Sequence, residues 1–349
     1  MTEYMSAFMF AAIASLLATP LVMMLASRTG ALDVPDARKV HKKPIPRIGG
    51  IGIYSAFIIS MVLVRMSIDV SGVSSELLKG ISGLILSGTL IMLVGVIDDY
   101  RNLPAKVKLL GQIFAAAVLV IGFDVRIDFI TDPFGDFIYL EWFAVPATIF
   151  WLVGLSNTIN LIDGLDGLAA GVSVIASFTI MCVALEQNVM MIAILTAALA
   201  GAAFGFLFFN FNPASIFMGD SGALFLGFML AGISVLGAVK CAATIALIVP
   251  ILALGLPILD TAFAIVRRYR GGVPIFRPDK GHLHHRLLGL GFTQRQAVLL
   301  MYVISALLGL SAVALTEVSY QIAIFILLIV VAAILYGAKK LGILSMRNA

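Results

Sequence analysis

The stretch Asn157-Thr-Ile-Asn160-Leu-Ile-Asp163-Gly-Leu-Asp166-Gly-Leu168 sets two amides and two carboxylates at every third position, between segments otherwise as apolar as lipid. A membrane anchor has no use for them. On one unbroken α-helix each three-residue step drifts by about 60°, so four such side chains would spread over half the circumference. Gly164 and Gly167 offer a break. A helix that unwinds near Gly164 lets Asn157, Asn160, Asp163 and Asp166 converge on one cavity, and irregular backbone at membrane depth is tolerated where it lines such a polar space. A polar helix end closed by a glycine cap is the plainer alternative.

The surrounding chain decides the class. With 61% hydrophobic and 12% charged residues over 349 positions and a mean hydropathy of +1.09, it cannot be a soluble globule with one core. About eleven apolar runs are long enough to cross a bilayer as helices, at 4–27, 48–66, 79–97, 107–123, 143–159, 168–185, 189–209, 221–239, 243–266, 296–314 and 320–337. The expected fold is an all-α polytopic integral membrane protein. The first run has no basic segment before it and no small-residue cleavage site, so it is expected to be retained as a span. Every Lys and Arg except Arg65, Lys79, Arg126 and Lys240 falls in the loops after odd-numbered runs. Positive charge marks the cytoplasmic side, which puts the N-terminus outside and the C-terminus in the cytoplasm.

Residues 125–139 alternate apolar and polar side chains around Asp132-Pro-Phe-Gly135 and read as a short external β-hairpin. Cys182 and Cys241 both lie in apolar runs, which excludes a disulfide framework and a cysteine-based metal site. A pI near 9.1 is explained by the basic loops, so nucleic acid is not an expected partner. No linker separates a soluble domain, and residues 1–349 are expected to form a single membrane-embedded domain.

Five polar clusters fall on the cytoplasmic side. The segment from Asp36 to Gly50 holds Arg38, Lys39, His41, Lys42, Lys43 and Arg47 and suits a phosphate, although a topology signal or an anionic-lipid contact would look the same. Asp98 and Asp99, followed by Arg101, Lys106 and Lys108, are adjacent acids at a span end; they repel and lose hydration, so they are expected to hold a cation or take part in chemistry. A solvated acidic corner is the alternative. The opening stretch is the third cluster. The fourth, from Asn210 to Gly222, sets Phe217 and Asp220 at the head of an apolar run, where Asp220 suits a helix cap, a metal ligand or both. The fifth joins Arg267, Arg268, Arg270, Arg277, Lys280 and Arg286 to His282, His284 and His285. Crowded cations oppose a second positive centre, so this loop reads as an anion site in preference to a zinc site. Asp260 is an intramembrane acid that either serves function or pairs with Arg267. Hard carboxylate oxygens suit Mg²⁺ or Mn²⁺ bound against phosphates, and the sum points to phosphoryl transfer at the inner membrane surface.

The motifs PxPRxGG, DDxxxLP, NxxNLxDGLDGLA, NPAxxFMGDxG and HLHH, in that order from Pro44 to His285, resemble those of the polyprenyl-phosphate N-acetylhexosamine-1-phosphate transferases. The resemblance implies transfer of a sugar 1-phosphate from a UDP-sugar to undecaprenyl phosphate with release of UMP, and Mg²⁺ or Mn²⁺ as cofactor. It implies a catalytic set of Asp98, Asp99 and Asp220, with the metal on Asp220 and Asp98. Phe217 matches an aromatic that stacks on uracil, and Asn157, Asn160, Asp163 and Asp166 match a nucleotide-site loop. Lys43, Lys106 and Lys108 stand where the family places cations near phosphates, and Arg268, His282, His284 and His285 are assigned to the sugar phosphate.

The loop PDKGHLHH (278–285) is similar to that of the branch using UDP-GlcNAc, most of all to Gram-positive enzymes that start teichoic-acid linkage units, and departs from the three consecutive histidines of the UDP-MurNAc-pentapeptide branch. Expected partners are UDP-GlcNAc, undecaprenyl phosphate and the bacterial plasma membrane, with a homodimer left open. The lipid phosphate is expected to attack the β-phosphorus directly, Asp98 removing any remaining proton and Asp99 orienting the lipid phosphate or a metal water; a two-step route through an aspartyl phosphate uses the same residues. Two rival readings are a transporter, which predicts polar residues along a whole path and paired halves, and the muropeptide branch.

Overall fold

The computed structural model describes residues 2–34, 44–68, 72–131, 137–240, 248–272, 281–318 and 320–340. Lys43 with the other bases of 36–43, the hairpin tip 132–135, Cys241, and Arg277, Asp279 and Lys280 of the histidine loop lie outside them. Helix α1 (Glu3–Thr29) leads through a short antiparallel pair, β1 (Leu32–Asp33) with β2 (Ile45–Pro46), into α2 (Gly50–Ser67) and α3 (Ser75–Arg101). Next, α4 (Ala105–Ala117), extended by a π-turn to Gly122, precedes the hairpin β3 (Phe129–Thr131) and β4 (Phe137–Tyr139). The rest is α5 (Ala144–Ile162), α6 (Leu168–Glu186), α7 (Met190–Asn210), α8 (Gly219–Lys240), α9 (Ile248–Ala253), α10 (Gly255–Arg270), α11 (Leu283–Gly289), α12 (Gln294–Glu317) and α13 (Tyr320–Lys340).

Among the described residues nine helices, α1 to α8 and α12, are long and apolar enough to cross a membrane, and α13 carries a shorter apolar stretch, Gln321–Gly337. The protein is a polytopic all-α membrane protein, with the expected hairpin between α4 and α5. The run expected as one span at 243–266 is instead two helices, α9 and α10, meeting at Leu254 (φ −101°, ψ 16°). Pro257 accounts for the break, since it has no N–H to give the Ala253 carbonyl and its ring clashes with that group. The charged residues of α10 keep it from spanning alone.

Helices surrounded by lipid gain little from burying apolar surface against one another, so close backbone approach between small residues holds them. On α7, a Cβ at Gly201 would lie 2.2 Å from Phe8 O and one at Gly205 would lie 2.5 Å from Ala12 O, which fits α1 into the groove between them. Helix α8 is the core of the bundle: 89% of its apolar window is buried, against 28% for α1.

Up-and-down connectivity brings the C-terminal ends of α3, α5 and α7 to the same end as the N-terminal ends of α2, α4, α6 and α8. The polar clusters collect there, and the hairpin lies at the other end. By the distribution of basic loops the polar end is the one expected to face the cytoplasm. With Cys182 and Cys241 replaced by Ala, an impermeant thiol reagent on intact cells is expected to label Tyr139→Cys and to leave Lys106→Cys and Leu290→Cys untouched; the reverse pattern overturns the orientation.

Candidate active site

Helix α8 begins against Asp99. Gly219 enters it at φ +72°, and a Cβ there would sit 2.0 Å from Arg47 O and 2.6 Å from an Asp99 oxygen. The Asp220 amide donates to Asp99 Oδ1 at 2.9 Å, the Ser221 amide to Oδ2 at 3.1 Å, and the Ser221 hydroxyl to Oδ2 at 2.6 Å. A carboxylate on the first amides of a helix satisfies donors that have no partner within it and meets the positive end of its dipole. Arg47 Nη2 stands 3.6 Å from Asp99 Oδ1. Asp99 is 3% exposed, and both its oxygens face protein donors.

Asp98, one residue earlier on α3, turns another way. Its Oδ1 accepts the Leu103 amide at 2.6 Å, just past the left-handed exit at Asn102 (φ 47°). Its Oδ2 pairs with Lys108 Nζ at 2.9 Å, and the same ammonium lies 2.8 Å from Asp220 Oδ2. The Asn160 amide donates to the other Asp220 oxygen, and Lys108 reaches Asn160 Oδ1 at 3.5 Å. Lone pairs of two carboxylates from α3 and α8 therefore converge on one cation position.

The four polar residues of the α5–α6 junction do not share one cavity. The helix does end where expected, at Ile162, and α6 starts after Gly167 in the left-handed region (φ +81°). Only Asn160 joins the acidic pair directly. Asn157, one turn deeper, makes a reciprocal amide pair with Gln112 of α4 (3.2 and 2.6 Å). Asp166 turns to the chain after α7, its Oδ2 accepting from Asn212 Nδ2 at 2.9 Å and from the Ala214 amide at 3.1 Å. Asn210 and Tyr302 fasten Gly167 of the same turn at 3.1 and 2.5 Å. Asp163 remains half-buried in the turn. Loss of water, then the negative Asp220, Asp99 and Asp166, push its carboxyl up to about 8.

Phe217 is half-buried two residues before Gly219, its backbone laced to Pro46 O (2.7 Å) and the Gly49 amide (3.1 Å). Lys106 is exposed; two residues from Lys108, it points from another face of α4 and is not brought to the acids. Arg268 is half-buried on the last turn of α10. His282 and His284 are buried and His285 is exposed. His284 lies against Gly164, where a Cβ would come within 2.5 Å of Nε2, so the histidine loop and the Asp163 turn are in contact. Burial, reinforced by His285 and His282, pulls the His284 ring down to about 4. Asp260, whose partner the sequence left open, meets His282, its Oδ2 lying 2.8 Å from Nδ1. Sequence reasoning missed Gln112 and Ser221. Gln112 left a signal as a lone amide in the apolar run 107–123.

Residues 81–238 match glycosyl transferase family 4. The chain is 38% identical, over 99% of its length and 94% of the relative's, to a probable undecaprenyl-phosphate N-acetylglucosaminyl 1-phosphate transferase of Bacillus subtilis (strain 168). The chain belongs to this family. It is also 38% identical over 84% of its length to a decaprenyl-phosphate N-acetylglucosaminephosphotransferase of Mycolicibacterium smegmatis, 77% of which it covers. A phospho-N-acetylmuramoyl-pentapeptide-transferase of Listeria monocytogenes is 34% identical over 86% of the chain and 94% of the relative.

Two outcomes follow from this geometry. Asp99→Ala strips three α8 donors of their acceptor and is expected to lower stability by about 1–3 kcal/mol, read as a fall in thermal midpoint in detergent that Asp98→Ala does not match. The native His284 ring binds fewer protons than the unfolded chain between about pH 4 and 6.5, so it opposes folding as pH falls through that window. Histidine NMR is expected to show this ring neutral at pH 6.

Proposed function

We propose that the protein transfers GlcNAc-1-phosphate from UDP-GlcNAc to undecaprenyl phosphate, giving undecaprenyl-diphospho-GlcNAc and UMP, in one membrane-embedded domain whose active site faces the cytoplasm. The observation that carries the reading is the convergence of Asp98 and Asp220 on one cation position beside Asn160 and the Arg47 segment. The kinship with the Bacillus subtilis relative over nearly the whole chain supports the same donor and acceptor. The 278–285 loop favours a product bound for teichoic acid.

The donor set fits Mg²⁺. Two hard carboxylate oxygens already hold an ammonium at 2.8 and 2.9 Å, and Mg²⁺ is commonly bound through one or two carboxylates with substrate phosphates and water completing the shell. Asp220 and Asp98 would hold the ion, and when bound it supplies charge neutralisation on the diphosphate. Asp99 does not join them, being committed to α8.

The chain's own residues position and neutralise. A phosphate monoester has a second pKa near 6, so the lipid phosphate is largely dianionic at neutral pH and needs little base. One of its oxygens attacks the β-phosphorus of the donor, and the bond from that phosphorus to the bridging oxygen breaks, with UMP carrying the electron pair away. Lys108, freed from either carboxylate, meets charge on the transferring phosphoryl group, and Asn160 keeps Asp220 oriented. Phe217, on the segment leading into α8, faces the uracil. The Arg268 and histidine side of the site takes the sugar phosphate.

Purified protein supplied with undecaprenyl phosphate and a panel of UDP-sugars is expected to consume UDP-GlcNAc far faster than UDP-MurNAc-pentapeptide, because buried donors matched to one substrate reject another that leaves them unpaired. Preference for the muropeptide donor sinks the assignment. Activity is expected to need Mg²⁺ or Mn²⁺ and to vanish in Asp220→Asn; undiminished turnover in excess EDTA contradicts the metal role.

A further inference from the structure

Asp260 takes no part in the transfer steps above, yet it is only 5% exposed and both its oxygens are engaged. Oδ2 meets His282 Nδ1 at 2.8 Å, and Oδ1 accepts the Leu283 amide at 2.8 Å. A carboxylate that takes a ring nitrogen with one oxygen and the next residue's amide with the other fixes the position and tilt of that ring together. A carboxylate can only accept, so the shared proton sits on Nδ1 and the tautomer of His282 is set.

The consequence passes along the loop. His282 stacks on His284, with ring centroids 5.8 Å apart and planes at 12°, and His284 meets His285 at 4.3 Å. His284 presses on Gly164, next to Asp163. Its Nδ1 is buried without a hydrogen-bond partner among the described residues. A fully buried ring nitrogen without a partner costs free energy unless a ligand satisfies it.

We propose that Asp260 is a positioning residue for the sugar-nucleotide donor: from α10 it locks His282, and through the ring stack it aims His284 at the donor. The proposal rests on the reading that the histidine loop engages the donor's sugar phosphate. Asp260 acts through His282 and touches no reacting atom.

The test uses the full-length purified protein with Mg²⁺ and measures kcat, the KM for UDP-GlcNAc, the KM for undecaprenyl phosphate and the thermal midpoint. Asp260→Asn keeps an acceptor for the Leu283 amide but no longer dictates the His282 tautomer. It is expected to raise the UDP-GlcNAc KM about tenfold, in the range seen when groups that orient a ligating histidine are removed, with the lipid KM within about twofold. Asp260→Glu, which keeps the charge, is expected to recover part of the loss. In a His282→Ala background Asp260→Asn is expected to add nothing. A variant that lowers kcat and thermal midpoint while leaving both KM values unchanged, or that adds its full effect without His282, makes Asp260 a mere fold element and overturns the proposal. His284→Ala and His285→Ala separate the two levels. If both leave the donor KM unchanged, the loop does not bind donor and the proposal fails with that reading. If they raise it about tenfold while Asp260→Asn does not, only the positioning role fails.

Discussion

The closure of Asp99 on the first amides of α8 is the contact on which the reactive end depends. A helix that starts at the polar edge of a membrane leaves N–H groups without partners, each costing several kcal/mol where water is scarce. Asp99 takes two of them and the Ser221 hydroxyl as well. Close backbone approach makes this reachable: a Cβ at Gly95 would fall 2.4 Å from Ser221 Cα, and one at Gly50 would fall 2.0 Å from Gly222 N. With α8 pinned between α2 and α3, Asp220 has one direction left, toward Asp98, Lys108 and Asn160. Two adjacent acids are thereby separated into one that holds the scaffold and one that shares Lys108 with Asp220.

That arrangement stores unbalanced charge. Among the described residues Asp98, Asp99 and Asp220 face Lys108 and Arg47, so within that set three acids ionised together exceed the two cations by one charge before Asp163 is counted. The excess is part of why the Asp163 carboxyl is driven up to about 8. Poorly hydrated like charges repel strongly, and the site is drawn toward added positive charge. A lysine suits the bridging place, since an ammonium on a flexible stem can leave one partner for another where a guanidinium fork would be tied to its geometry.

Much of this was legible in the sequence. The membrane class, the helix break after Ile162, the hairpin and the gathering of acids and bases at one end follow from apolar run length, glycine spacing and charge asymmetry, which are local properties. The partnerships were not, because they depend on rotation between helices. Nothing in the spacing of Asp98 and Asp99 tells which one α8 will claim. The even three-residue step from Asn157 to Asp166 suggested one common cavity, but Gln112 from α4 and Asn212 from beyond α7 drew its two ends aside. The ninth run reads as a single span because its hydropathy is continuous, although Pro257 marks where the helix divides.

The β3–β4 hairpin and α5 together act as a depth gauge. Tyr139 and Trp142 are 67% and 82% exposed at the hairpin end, and amphipathic rings of this kind settle at the level of the headgroups. From there the 19 residues of α5 rise about 28 Å at 1.5 Å each, close to the roughly 30 Å of a hydrocarbon core. Asn160 and Asp163 therefore come out near the opposite edge of the hydrocarbon core. Under the proposed function, a lipid whose phosphate rests just beyond that edge would travel only the depth of a headgroup to reach the acidic pair, arriving by lateral diffusion.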